Sequence, residues 1–359
     1  MAHLGIVPQF LARVTPMETK LAALNEATAA YTAAGYTGMI DMAMSDAEWN
    51  VLKTFRDGYG EDFPFHIAAH WIVPYSDDRE QVFATVDLAI ARHREYSPSI
   101  SPRFCIVGIK LMCDGVVDGC TAALTEPYNG SENPVDPIWP VDLLQEVVKK
   151  ADAAGLQIAI HAIGDRAIKD AIDALSQAQP GHRHRIEHLE LASPTDAKRL
   201  GELGITASVQ PVHSDPALFR AWPELIGKHR CARAFAYREF LDGGAPMALG
   251  TDSPTAAHAA LPNLYNATTR RSAIEPQCTD VVNAHFGLPL AAAITAASTG
   301  AAYSRKAESW TGCLRAGYQA DFVILNMDWE AESLLKARVY QTWAGGRKTF
   351  DSSSGRGQC

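Results

Sequence analysis

No C-x-x-C pair occurs in the 359 residues, and the seven cysteines are irregularly spaced and odd in number. That pattern excludes a zinc ribbon and a disulfide framework, and it reads as reduced thiols. Long apolar runs are missing, so no membrane span is expected. The start of the chain lacks a charged-then-apolar pattern, so no leader is expected either. Basic stripes are missing too. The run His182-Arg183-His184-Arg185 is too short to be one, and the net charge of −9 with a pI of about 5.7 argues against nucleic acid as a partner. These absences together predict a soluble, cytoplasmic protein with a small-molecule substrate and neither membrane nor nucleic acid as partner. They leave its oligomeric state open, a homo-oligomer included.

What is present is core. Hydrophobic residues make up 47% of a 38.9 kDa chain and charged residues 20%, which argues against disorder. The length fits one large α/β domain with an appendage. Thr15-Pro16-Met17-Glu18 and Ser45 to Glu48 both read as capping boxes that open helices. Gly35, Gly155, Gly204 and Gly243-Gly244 close helices, and a short apolar run follows each. Strands are expected at Tyr36–Met42, Phe65–Trp71, Phe104–Met112, Leu156–Ile160, Arg185–Leu191, Ile205–Val209 and Pro246–Leu249. Apolar strands alternating with helices predict a parallel sheet covered by helices. Seven strands are one short of a (β/α)8-type, TIM-like barrel, so strand one is expected to be missing.

The barrel is expected over residues 1–303. After residue 304 the pattern turns to β, with strands at Ala320–Leu325 and Arg338–Trp343 forming a small appendage over 304–350. Residues 351–359 are a Ser/Gly-rich tail expected to fray. The stretch Asp114 to Trp139 is long, rich in Gly, Pro and Asn, and follows a strand, which suits a lid.

Chemistry in such a barrel gathers where strands end. The strand ends here present Lys110, His161, His188 and Asp252. Neutral imidazoles and a carboxylate on rigid elements suit a divalent metal, whose bound water ionises near neutral pH. A nearby Asp can take that proton and pass it to a leaving amine. Lys110 is the odd member, because an ammonium repels a cation. A lysine in an apolar strand has a lowered pKa and can capture carbon dioxide as an anionic carbamate.

The motifs G-I-K-L-x-x-D-G at Gly108–Gly115, H-A-I-G-D-R-A at His161–Ala167, I-E-H at Ile186–His188 and G-T-D-S-P at Gly250–Pro254 resemble the metal-dependent amidohydrolase superfamily. The likeness is to the N-substituted formamide deformylase-like subgroup, and Ala316–Phe322 is similar to that family's return into a small β-sandwich. The resemblance implies hydrolysis of a carbon–nitrogen bond other than a peptide bond, such as an amide or formamide. It implies a carboxylated Lys110 bridging two metals, His161 and His188 as ligands of the second, and Asp252 as ligand and proton shuttle. Zinc comes first among the divalent metals, as one or two ions, with Fe, Mn and Ni open. The family's first strand carries H-x-H, and nothing before Tyr36 supplies it; His3 is the only early histidine.

Plainer readings stand beside these. His161 alone suits a core histidine in a strand–helix turn, and Lys110 suits a structural pair with Asp114 or Glu187. His182-x-His184 precedes its strand, so it belongs to the stability face of a barrel. His213, after Ser208-Val209-Gln210-Pro211, is a candidate substrate contact; His70 is another, with packing as its rival. Asp165 is expected to cap a helix, and Cys113 and Cys120 to be bystanders. The competing function is an inactive, truncated relative, a pseudoenzyme or binding protein; a mononuclear enzyme is a third.

Overall fold

The computed structural model describes residues 10–11 and 13–353. His3 and the tail residues 354–359 lie outside that range, so the expectations placed on them are not addressed by it.

Seven parallel strands form one curled sheet in chain order. They are β1 (Gly38–Met44), β2 (His66–Ile72), β3 (Phe104–Met112), β4 (Gln157–Ala162), β5 (Arg185–His188), β6 (Thr206–Val209) and β7 (Met247–Leu249). Each pairs with its neighbour in sequence. Among the described residues β1 and β7 are the edges. The intervening helices include α1 (Met17–Ala33), α2 (Asp46–Tyr59), α3 (Arg79–Glu95), α4 (Val141–Ala153), α5 (Asp165–Leu175), α6 (Pro194–Leu203), α7 (Trp222–Cys231), α8 (Tyr237–Asp242) and α9 (Ala260–Thr269).

Strand alternation decides what each face holds. Ile67, Trp71, Ile158, Ile160 and Ile186 join the main core with Val86, Val147 and Ile168 of the helices. The intervening positions, among them Gln157, Ala159, His161, Arg185, Glu187 and Ser208, occupy the other, concave face. β3 changes parity on the way. Ala69 pairs with Ile106 and His70 with Gly108, so Val107 is an extra residue. Cys105 and Val107 lie in a small cluster with Ala68, whereas Ile109 and Leu111 face the helices. This bulge turns even-numbered Lys110 onto the face that odd-numbered Cys105 occupies below it.

Of the three helix caps expected above at Thr15, Ser45 and Asp165, one is present and two differ. In α2, Glu48 Oε2 accepts from the Ser45 N–H (3.0 Å) and hydroxyl (2.5 Å), so the expected capping box is there. The N-cap of α1 is Pro16, without a side-chain cap, so Thr15 does not cap it. Asp165 is inside α5 rather than its cap; Gly164 holds that place, and Asp165 Oδ1 accepts the Thr125 N–H (2.9 Å).

The stretch Asp114–Trp139 is folded down, not standing free. Val117, Ala122, Leu124, Tyr128 and Trp139 are buried. Arg230 of α7 donates to the Glu126 and Pro127 carbonyls (2.9 and 3.0 Å), and the Asn129 N–H donates to Leu225 O (2.8 Å). The small sheet has three antiparallel strands, β8 (Phe322–Asn326), β9 (Arg338–Ala344) and β10 (Arg347–Asp351). Gly345 and Gly346, at φ +58° and +77°, make the tight β9–β10 turn, a conformation that glycine adopts without a Cβ clash. Asp321 ties this sheet to the barrel: it accepts from Thr311 Oγ1 (2.6 Å) and the Gly345 N–H (2.7 Å), and lies 2.7 Å from His66 Nε2.

Candidate metal centre

The site grows from the ends of four strands, β3, β4, β5 and β7, and one turn. His161 is the last residue but one of β4 and His188 the last of β5, and their rings lie 4.3 Å apart at 64°. His188 is reached by a break in alternation. Glu187 faces the concave side, so a continuing strand would aim its neighbour the other way. His188 and Leu189 instead take φ values of +79° and +56°, and the chain turns. The strand therefore stops three residues short of the expected Leu191. Asp252, after β7, also sits at a positive φ, +58°. Non-glycine residues held there cluster at functional positions.

Protonation follows burial. Desolvation, with Lys110 nearby, pushes His161 down to about 3, and it drives His188 well below the usual histidine value. Both imidazoles are neutral at pH 7. His161 Nε2 lies 3.0 Å from the Gly115 carbonyl, which can only accept. Nε2 therefore carries the hydrogen and Nδ1 keeps its lone pair. His188 Nδ1 is buried with no hydrogen-bond partner. Burial lowers Lys110 to about 8, opposed by Glu187 and Asp252. Glu187 itself is held below the carboxylate range, against the desolvation that opposes it, by Arg185, whose Nε donates to Oε1 at 2.6 Å. Two neutral imidazoles, one with an orphaned nitrogen, beside a lysine easily deprotonated, fit a divalent metal.

His213 stands on a short turn, Pro211–Ser214, and stacks on His188 at 5.6 Å and 8°. Its Nδ1 is 3.2 Å from Glu190 Oε1, and its Nε2 is 3.8 Å from Asp252 Oδ2. Burial works against its protonation, but Glu190 and Asp252 outweigh it and raise its pKa. Asp252 is at the rim, its side chain 36% exposed. The four expected ligand positions and His213 are thus brought to one end of the sheet.

His70 is not. It is 0% exposed, and its Nε2 donates to Gln157 Oε1 (2.8 Å). Ile72, not His70, pairs with Lys110, so His70 is two residues deeper in the barrel. It packs there, as the plainer reading of His70 has it, and is not brought together with the other candidates. Asp114 does not pair with Lys110 either; it takes backbone donors. His182 and His184 sit at the opposite end of the sheet, both on Asp152 (2.5 and 3.1 Å). The Ile158 N–H donates to His184 Nδ1 (3.0 Å), so His184 Nε2 holds the proton and has no lone pair for a metal. Glu190 was missed from sequence. The only signal was a second acidic residue just beyond I-E-H, indistinguishable from a continuing strand.

The profile described as the amidohydrolase family matches residues 3–350. The chain belongs to the amidohydrolase family. It is 30% identical over 251 residues to the protein LONG AFTER FAR-RED 3 of Arabidopsis thaliana, covering 68% of this chain and 42% of that one. It is 24% identical over 250 residues to an N-substituted formamide deformylase of Arthrobacter pascens, covering 65% and 42%. This amidohydrolase chain spans less than half the length of those curated relatives. An uncharacterized metal-dependent hydrolase from Pyrococcus horikoshii OT3 superposes with a TM-score of 0.69 at 22% identity, covering 86% of this chain and 59% of that one. Amidohydrolases of this shape fit a TIM-like barrel. No helix among the described residues is long and apolar enough to cross a membrane.

Proposed function

We propose that this amidohydrolase hydrolyses a non-peptide C–N bond in a small amide or formamide. The observation that carries the reading is the His161–His188 pair, neutral, 4.3 Å apart, with His161 Nε2 committed to Gly115 and His188 Nδ1 unpartnered. His161, His188, Asp252 and Lys110, the last as a carbamate, would hold the metal, with zinc preferred. When bound, the metal supplies a water that ionises near neutral pH. Asp252, at the rim, would take up a proton and deliver it to the leaving nitrogen. His213, its pKa raised by Glu190 and Asp252 against burial, would as the imidazolium donate from Nε2 to the carbonyl oxygen and stabilise its developing charge, with Nδ1 keeping its hydrogen toward Glu190. The kinship with a formamide deformylase supports the substrate class. The packed stretch Asp114–Trp139 and the segment from His213 to Ala232 would shape the pocket.

The test is metal content of the purified chain together with turnover of N-formyl and N-acyl amines, with dipeptides as control. Metal-dependent release of amine from the N-acyl panel, with dipeptides intact, is the expected result. Cleavage of dipeptides alone would overturn the substrate class. A second reading, an inactive relative, has one observation in its favour: β1 and β7 are sheet edges among the described residues, and no described strand ends in H-x-H. Stoichiometric metal without turnover on any substrate would favour it, and one metal per chain with turnover would mark a mononuclear enzyme.

A further inference from the structure

Glu190 lies two residues beyond His188, where the left-handed residues His188 and Leu189 bring the chain back toward the site. It is 5% exposed. Its main chain is fixed, since the Phe235 N–H donates to Glu190 O at 2.7 Å. Its carboxylate meets His213 Nδ1 at 3.2 Å.

The turn that carries His213 is clamped as firmly. Asn263 Oδ1 accepts the Val212 N–H (2.8 Å), Ser214 Oγ donates to Pro211 O (2.7 Å), and Arg270 Nη1 donates to Ser214 Oγ (2.9 Å). With the backbone held, the freedom left to His213 is ring rotation and choice of tautomer. Stacking on His188 at 8° restricts the ring plane but not which nitrogen faces outward. Among the described residues Glu190 is the nearer of two carboxylates: it lies 3.2 Å from Nδ1, within hydrogen-bond reach, whereas Asp252 Oδ2 lies 3.8 Å from Nε2, beyond it, and a carboxylate accepts from an N–H and repels a lone pair.

We propose that Glu190 is a positioning residue that holds the hydrogen of His213 on Nδ1 and so presents Nε2 to the substrate beside Asp252. This rests on the reading of His213 as a substrate contact. The arrangement is a carboxylate–imidazole pair in which the carboxylate sets tautomer and orientation without touching the reacting atoms. Glu190 also has a rival role. The donor atoms of His188, Glu190 and His213 lie within 4.8 Å of one another, close enough to share a cation. A ligand role would strip the Nδ1 hydrogen from between Glu190 and His213, so the two roles exclude each other.

The experiment is long-range 1H–15N spectroscopy of histidine-labelled protein at pH 9, with and without Zn, on wild type, Glu190→Gln and Glu190→Leu. His213→Asn assigns the resonance, and circular dichroism checks folding. Wild type should show His213 protonated at Nδ1, and E190L should shift it to Nε2. Where turnover exists, E190L should lower kcat on the order of 10–100-fold with KM little changed. The nearly isosteric E190Q should bind the same number of Zn ions as wild type. An Nδ1 hydrogen retained in E190L, or loss of one Zn in E190Q, overturns the proposal. Should E190L fail to fold, the wild-type tautomer and E190Q metal content still decide. A tautomer shift in a protein without turnover would sink the hydrolase reading and leave the Glu190–His213 geometry standing.

Discussion

Asp114 Oδ1 lies 3.5 Å from His161 Nε2, yet the carboxylate of Asp114 is spent on the backbone. It accepts from the N–H groups of Ile163 (3.0 Å), Gly164 (2.8 Å) and Ala123 (3.0 Å). Burial pushes it up to about 7 while those three donors pull the other way. One side chain therefore joins the end of β4, the start of α5 and the packed stretch over the site. Asp114→Ala would strand three buried donors, at about 1–3 kcal/mol each before relaxation. A loss of at least about 3 kcal/mol in urea unfolding is expected. A loss below ~1 kcal/mol would show that water or a shifted loop replaces it.

A steric prediction comes from Gly108. A Cβ built there would lie 1.8 Å from Gln157 O, so the bulged strand β3 approaches β4 closer than any side chain permits. Gly108→Ala should force the two strands apart just below Lys110. Expected results are insoluble protein or a transition at least ~10 °C lower in a thermal melt, the order set by a loss of several kcal/mol. An unchanged melting temperature would mean that the bulge absorbs a methyl group freely.

How much of this was legible in the sequence divides along physical lines. The alternation of glycine-stopped helices and apolar runs is local, so the seven strands and their order were legible, Phe104–Met112 to the residue. That Lys110, His161, His188 and Asp252 come to one end of the sheet was legible because each follows or closes a strand. Three things were not. Val107 as a bulge has no distinct sequence mark, although it is what aims Lys110. The left-handed turn at His188 follows from tertiary packing, so Arg185–Leu191 read as one strand and Glu190 was overlooked. The depth of His70 was not legible because alternation gives a face but not a depth. The third strand of the small sheet, Arg347–Asp351, was overlooked although Gly345-Gly346 is a hairpin signal.

Acid stability should report the buried histidines. Burial lowers His184 to about 4, against the pull of Asp152. Below pH ~6.5 the unfolded chain binds a proton there that the folded chain refuses, so stability rises with pH between ~4 and ~6.5 and falls as the protein is acidified. Each such histidine contributes a slope of up to about 1.4 kcal/mol per pH unit. His66 and His70 are lowered in the same direction, mainly by burial. His184→Asn should reduce the slope of unfolding free energy between pH 6 and 4.5 by nearly one proton, measured by urea titration at each pH. An unaltered slope would mean that His184 protonates alike in both states.

In the proposed site, holding the metal and moving the proton would separate at Lys110 and Asp252. Lys110 is buried beside Glu187, and a carbamate there would bring a second anion to a place where Arg185 is already engaged by Glu187. A metal cation is what would offset that charge, so carbamate and metal should stabilise each other. Lys110→Ala should therefore lower Zn content, with binding in the wild type strengthened by added bicarbonate and indifferent to it in the variant. Asp252, at the rim and 3.8 Å from His213 Nε2, bears less on holding and more on proton transfer. Asp252→Asn should retain most of the Zn, because the imidazoles and Lys110 remain, but reduce kcat by at least about 100-fold, or ~2.7 kcal/mol of barrier. Metal analysis and steady-state rates on both variants decide the matter. Equal loss of metal in the two would make Asp252 as important as Lys110 to holding the metal and leave the proton to His213.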